Sequence, residues 1–201
     1  MINVLFIHQS AELYGSDKTL LILLKELDKS KILPIVVLPE IGPLSVELEK
    51  EQIEVIVAPV LKLHRNIFKP SNLFKFIKDF FKGIKVLNKI LKTKKIDLVY
   101  SNTLAVLLGF LASKWLKIPH TWHVHEIIES PSFITSFYRL LLNNKTNELV
   151  LFNSKATQEF WKINSNNVVV WNGIEPFSSL IFEESSSKKS IKIALVGRIS
   201  R

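Results

Sequence analysis

Pro34-Ile35-Val36-Val37-Leu38 is apolar at every position. A strand with no polar face is buried on both sides, as in a parallel sheet covered by helices. Outward from it, short apolar, β-branched runs alternate with longer segments of helical period, the pattern of stacked βα units. The runs that read as strands are 3–7, 32–38, 54–58, 97–101, 120–125, 148–152, 168–171 and 191–196. Helical period is found at about 16–28, 43–51, 71–93, 103–116, 132–143 and 154–163. The expected fold class is therefore α/β, a Rossmann-like three-layer domain around a doubly wound parallel sheet. Leu104–Ala112 is the most hydrophobic stretch. A membrane span needs about 20 apolar residues, so it reads as a buried helix ending before Pro119.

The chain has 201 residues, of which 47% are hydrophobic and 22% charged. That composition excludes whole-chain disorder and low complexity. Absence of cysteine rules out disulfides, thiolate nucleophiles and every Cys-containing metal site. Met1–Ile7 is too short for a signal-peptide core and lacks a basic leader, which points to the cytosol.

A net charge of +9 is unevenly spread: residues 62–95 hold eleven basic side chains, Lys62, Arg65 and Lys69 among them, against one acid, Asp79. Within that segment Leu73, Ile77, Phe80, Ile84, Leu87 and Leu91 recur at spacings of four and three, one face of a helix. Lys75, Lys78, Lys82, Lys85, Lys89 and Lys92 follow one or two positions later, on the opposite side. Such a stripe suits an anionic lipid surface, with Phe68, Phe74, Phe76 and Phe81 beside it for interfacial contact. The plain alternative is a solvated helix face, although a merely soluble helix usually mixes both signs. Nucleic acid fits poorly, because Arg65 is the one guanidinium in the segment.

Three stretches fall where a doubly wound sheet places ligands, beyond the C-terminal ends of strands. In the first, Tyr14-Gly15-Ser16-Asp17-Lys18-Thr19-Leu20, Gly15 permits close backbone approach and Ser16 reads as the N-cap of a helix that offers N–H groups to an anion. In the second, Thr121-Trp122-His123-Val124-His125-Glu126, the two histidines share one face of an extended segment. They can bind a metal, although no third ligand is evident. Alternatively, one orients a substrate hydroxyl, or both are hydrogen-bonded structural residues. The third joins Asn172-Gly173-Ile174-Glu175 to Val196-Gly197-Arg198-Ile199-Ser200, where the planar fork of Arg198 suits phosphate oxygens. Between these, the Ser-rich segment 177–190 reads as a linker and 191–197 as a fresh strand entering a glycine turn. The expected organisation is a domain at 1–176, a linker, and the opening of a truncated second domain at 191–201; the alternative makes 191–196 an edge strand of the first sheet.

Together, Tyr14-Gly15-Ser16-Asp17-Lys18-x-Leu20, Pro119-x5-His125-Glu126, Asn172-Gly173-Ile174-Glu175 and Val196-Gly197-Arg198-Ile199-Ser200 resemble the motif series of glycosyltransferase family 4 in order and spacing. The resemblance implies the N-terminal half of a glycosyltransferase-B fold, in which the first domain binds mainly the acceptor and the second mainly a nucleotide-sugar donor. It implies transfer with retention of anomeric configuration and no required metal or cofactor. His125 and Glu126 would then be catalytic, Gly15, Ser16 and Arg198 would hold the donor phosphates, and Asn102 and His123 would lie on the acceptor side. The expected partners are a nucleotide-sugar, a lipid-linked or polysaccharide acceptor in cell-surface glycan synthesis, and the anionic inner face of the membrane. The chain departs from the family pattern in three ways. Tyr14 stands where the family has glycine, Asp17 and Glu126 exchange carboxylate length, and the second domain's Glu-x7-Glu region is absent. The 201-residue chain is accordingly expected to be inactive alone. The competing expectation is a non-catalytic module that docks on membranes through the basic helix 71–93.

Overall fold

The structure is a computed structural model that describes residues 1–61 and 70–174. Among the described residues seven strands build one sheet: β1 (Ile2–His8), β2 (Ile32–Leu38), β3 (Glu54–Val57), β4 (Leu98–Asn102), β5 (His120–Val124), β6 (Asn147–Phe152) and β7 (Asn167–Val169). Six helices connect them: α1 (Gly15–Glu26), α2 (Pro43–Lys50), α3 (Pro70–Thr93), α4 (Leu108–Leu116), α5 (Ser132–Leu142) and α6 (Lys155–Trp161). The strand order is β3-β2-β1-β4-β5-β6-β7 and every pairing is parallel. This is the expected doubly wound α/β sheet. β2 lies between two strands, but Pro34 faces only β1, because β3 pairs from Ile35 onward, so the ladder is not disrupted.

Strand alternation sorts the core into two layers. Leu5, Ile7, Val37, Val99, Trp122, Val124, Val150 and Phe152 face α3, α4 and α5. Val4, Phe6, Val36, Leu38 and Tyr100 face α1 and α2. The chain order therefore reverses between β1 and β4, and a ligand crevice forms at such a switch point beyond the strands' C-terminal ends.

Two local expectations change. The apolar run from 103 predicted a helix, yet α4 begins only at Leu108. Thr103 adopts a left-handed φ of 81°. The chain here is still tied to its neighbours in a non-helical course: Thr103 N donates to the His123 carbonyl at 2.9 Å, and Leu104 N to Glu126 Oε2 at 3.1 Å. The second change concerns α3, whose inward face carries Ile84, Leu87 and Ile90, with Phe76 and Phe80 packed against the core. Ile77, predicted to face inward, is 46% exposed, beside Phe74 at 74% and Phe81 at 61%. With 24 residues α3 is about 36 Å long, against about 23 Å for a seven-residue strand. At its N-terminal end the covered positions are Phe76 and Phe80, which turns Ile77 outward. Lys62, Arg65, Lys69 and Phe68, and the expected linker and strand at 177–196, lie outside the described residues.

Candidate active site

β1 ends on His8, β4 ends on Asn102, and β5 runs on into His125, so the switch point carries polar side chains. Register places His8 against Asn102 and Asn102 against His123. The side chains form one file. Asp17 Oδ1 lies 2.6 Å from His8 Nε2, His8 Nδ1 lies 3.0 Å from Asn102 Nδ2, and Asn102 Oδ1 lies 3.0 Å from His125 Nε2. His8, Asp17 and Asn102 are buried, whereas His125 is half-buried at the outer end.

Asp17 reaches this file because it occupies the first turn of α1, where its Oδ2 also accepts the Tyr14 N–H at 2.9 Å. That bond closes the helix start, so Tyr14 stands at the N-cap and Ser16, expected there, lies inside the first turn. Gly15 opens the helix, and a Cβ built on it meets nothing within 4 Å. The loop before it is pinned from below by Leu44 N donating to the Ala11 carbonyl at 2.8 Å. A Cβ on Gly42 would come within 2.6 Å of that same oxygen. The loop is thus prearranged by the start of α2.

His123 is buried. Its Nδ1 is 2.7 Å from the Tyr100 hydroxyl, its ring lies 4.1 Å from that of His125, and its buried Nε2 has no hydrogen bond among the described residues. Glu126 turns its carboxylate back on the chain. Its Oε2 accepts from the amides of His125 and Leu104, each at 3.1 Å, while Trp161 Nε1 donates to its carbonyl at 2.8 Å. Glu126 therefore holds the turn that carries His125.

Burial dominates the electrostatics. It pushes the His125 ring down to about 4, with the nearby His8 adding to the effect, and His123 down to about 3, with His125 adding to it. Burial also raises Glu126, outweighing the amides that hold its charged form. A neutral His125 is thus the form presented at the crevice, able to accept or donate a hydrogen bond. Among the described residues, no group of three His, Cys, Asp or Glu is arranged to hold a metal ion.

Of the residues singled out in the sequence, Asn102, His123, His125 and Glu126 come together, and Gly15 and Ser16 are tied to them through Asp17. Arg198 lies outside the described residues. His8 and the inward role of Asp17 were missed. The available signal was the parity of β1, which puts a histidine on the face of Val4 and Phe6 at the strand's C-terminal end.

The sequence model of Glycosyltransferase Family 4 matches residues 15–176. Among solved structures, Anabaena Alr3699/HepE in complex with UDP is 25% identical, with a TM-score of 0.62 over 87% of this chain and 45% of that one. A glycosyltransferase from Rickettsia africae ESF-5 is 21% identical, with a TM-score of 0.60 over 86% of this chain and 43% of that one. A UDP-GlcNAc 2-epimerase from Neisseria meningitidis is 17% identical, with a TM-score of 0.56 over 84% and 46%. The chain thus spans a little under half the length of these proteins, and an epimerase among them shows that the fold by itself does not select a reaction. No curated protein sequence matches the chain.

Proposed function

The chain belongs to glycosyltransferase family 4, and on that footing we propose that it is the acceptor-side domain of an enzyme that moves a sugar from a nucleotide-sugar to a lipid-linked or polysaccharide acceptor, with retention of configuration. The observation that carries this reading is the file ending in a neutral, half-buried His125 at the switch point of the sheet. The UDP bound by the Anabaena relative supports a nucleotide-sugar as donor. In the transfer, the bond between the sugar's anomeric carbon and the donor diphosphate breaks. A bond from that carbon to an acceptor hydroxyl forms, and the hydroxyl proton leaves with the diphosphate.

His125 hydrogen-bonds a sugar hydroxyl and orients the ring for attack. The open backbone at Gly15 and Ser16, together with Arg198, takes the developing diphosphate charge in place of a metal. The chain spans a little under half the length of its structural relatives, so the transfer is proposed for the whole protein. Assaying the full-length polypeptide against a panel of UDP-, GDP- and TDP-sugars tests the proposal, with anomeric configuration read by NMR. Transfer with retention from one of them is expected; nucleotide-sugar epimerisation without transfer would overturn it.

A second reading has its own observation. Phe74, Ile77 and Phe81 are exposed at spacings of three and four on α3, among the exposed Lys75, Lys78, Lys82 and Lys85. They adjoin a groove lined by Phe81, Ile84, Lys85, Asn88, Lys89 and Lys92. Apolar side chains within a field of lysines suit the headgroup boundary of an anionic membrane. Among the described residues no helix is long and apolar enough to cross a membrane. Docking through α3 would bring a lipid-linked acceptor to the crevice. A non-catalytic docking module remains the alternative, and it predicts vesicle binding with no transfer by the full-length polypeptide.

A further inference from the structure

Asp17, His8, Asn102 and His125 come from four separate elements, yet their hydrogen bonds form one uninterrupted series. Such a series has a direction, because its first member can only accept. The Asp17 carboxylate accepts at both oxygens: Tyr14 N–H at Oδ2 and His8 at Oδ1. His8 Nε2 therefore carries a proton. The other ring nitrogen of His8 faces the amide nitrogen of Asn102, which can only donate, so His8 Nδ1 offers its lone pair. Asn102 then has its carbonyl oxygen left for His125, and that oxygen can only accept, so His125 Nε2 carries a proton. His125 Nδ1 makes no hydrogen bond among the described residues.

We infer that Asp17, acting through His8 and Asn102, sets which nitrogen of His125 is protonated, so that the lone pair of Nδ1 is what this histidine holds out to a ligand. Asp17, His8 and Asn102 are positioning residues: none needs to touch a substrate, and each fixes the hydrogen-bonding sense of the next. Burial of the three excludes water from the series, so no solvent molecule can supply a proton of the wrong sense. The His125 ligand then contributes a donor, typically a sugar hydroxyl. That consequence rests on the function proposed above, whereas the tautomer does not.

Asp17→Asn makes an unusual prediction. The side chain at 17 must still accept from Tyr14 N–H, so its new amide group faces His8 and turns Nε2 of His8 into an acceptor. His8 must then donate through Nδ1, Asn102 must flip, and His125 must accept at Nε2 and carry its proton on Nδ1. One substitution reverses the series three residues away. Asp17→Glu retains the carboxylate and the original sense.

Long-range proton–nitrogen correlation NMR of the 15N-labelled protein, above the titration of the histidines, reads both nitrogens of each ring. His8 and His125 are assigned by the signals lost in His8→Gln and His125→Gln. In the wild type, both rings should be protonated at Nε2 with a bare Nδ1. Asp17→Asn should exchange the two nitrogen signals of His125, and Asp17→Glu should leave them in place. A wild-type His125 protonated at Nδ1 would overturn the inference by itself, whether or not Asp17→Asn folds. So would a folded Asp17→Asn protein with the wild-type pattern. A correct tautomer in a full-length polypeptide without transferase activity would instead remove the functional reading and leave this one standing.

Discussion

At the C-terminal ends of β1, β4 and β5, polar side chains are buried and bonded to one another. On the outer side of α3, apolar side chains are exposed and stand among lysines. Each region reverses the usual sorting of residues, by different physics. The histidine file contains groups that would cost about 1–3 kcal/mol each if left unpaired, so its members depend on one another and its geometry is narrow. The α3 face has no such coupling. Its side chains act additively through area and charge, and each can change without disturbing the next. A buried polar network suits a site that must hold one geometry, and an additive face suits a surface that is soft and laterally mobile.

Acid should break this contrast most severely. The folded-state values of His120 and His125, both near 4, and of His123, near 3, lie below the ordinary 6.5. Above pH 6.5 both folded and unfolded chains keep these rings neutral. As pH falls below it, the unfolded chain takes up protons that the folded one refuses, and stability drops until about pH 4. Glu126, raised by burial, works in the opposite direction but is a single group. Thermal unfolding followed from pH 7.5 to 4.5 should show a steadily falling midpoint.

Next in size is Trp122→Ala, which empties a fully buried site on the sheet face opposite His123 and should cost about 3–5 kcal/mol in urea unfolding. Gly109→Ala is a finer probe. Its Cβ would fall 2.1 Å from Ser101 Oγ, displacing the hydroxyl that bonds His120 at 2.9 Å. A loss of about 1–3 kcal/mol is expected, again by urea unfolding. At the small end, Phe81→Ser should change stability by less than about 0.5 kcal/mol while weakening flotation with anionic phosphatidylglycerol vesicles. Combined charge reversal at Lys78, Lys82 and Lys85 should abolish that flotation, and added salt should mimic it in the unsubstituted protein. Unchanged flotation after charge reversal would end the membrane reading.

The two regions also differ in how far they can be read from sequence. The strand run Pro34–Leu38 and its neighbours announced the parallel sheet, and the α3 period announced a helix, because both signals are local. Which apolar positions of α3 are covered depends on how the helix is turned against the core, and no periodicity records that; Phe76 and Phe80 pack inward and Ile77 is exposed. The start of α4 is hidden for a similar reason, since the left-handed turn at Thr103 is held by β5 and Glu126, some twenty residues downstream. His125 was visible through its motif. His8 and Asp17 were not, because their meaning lies in a pairing that exists only once β1 and α1 are folded against β4.

His125 is proposed to serve sugar transfer from the end of a buried file, and single-turnover transfer by the full-length polypeptide measures that role. His125→Ala should slow the transfer step about a hundredfold while nucleotide-sugar binding, followed by calorimetry, stays within a few-fold of wild type. Transfer at the wild-type rate in a folded His125→Ala protein would remove His125 from the reaction.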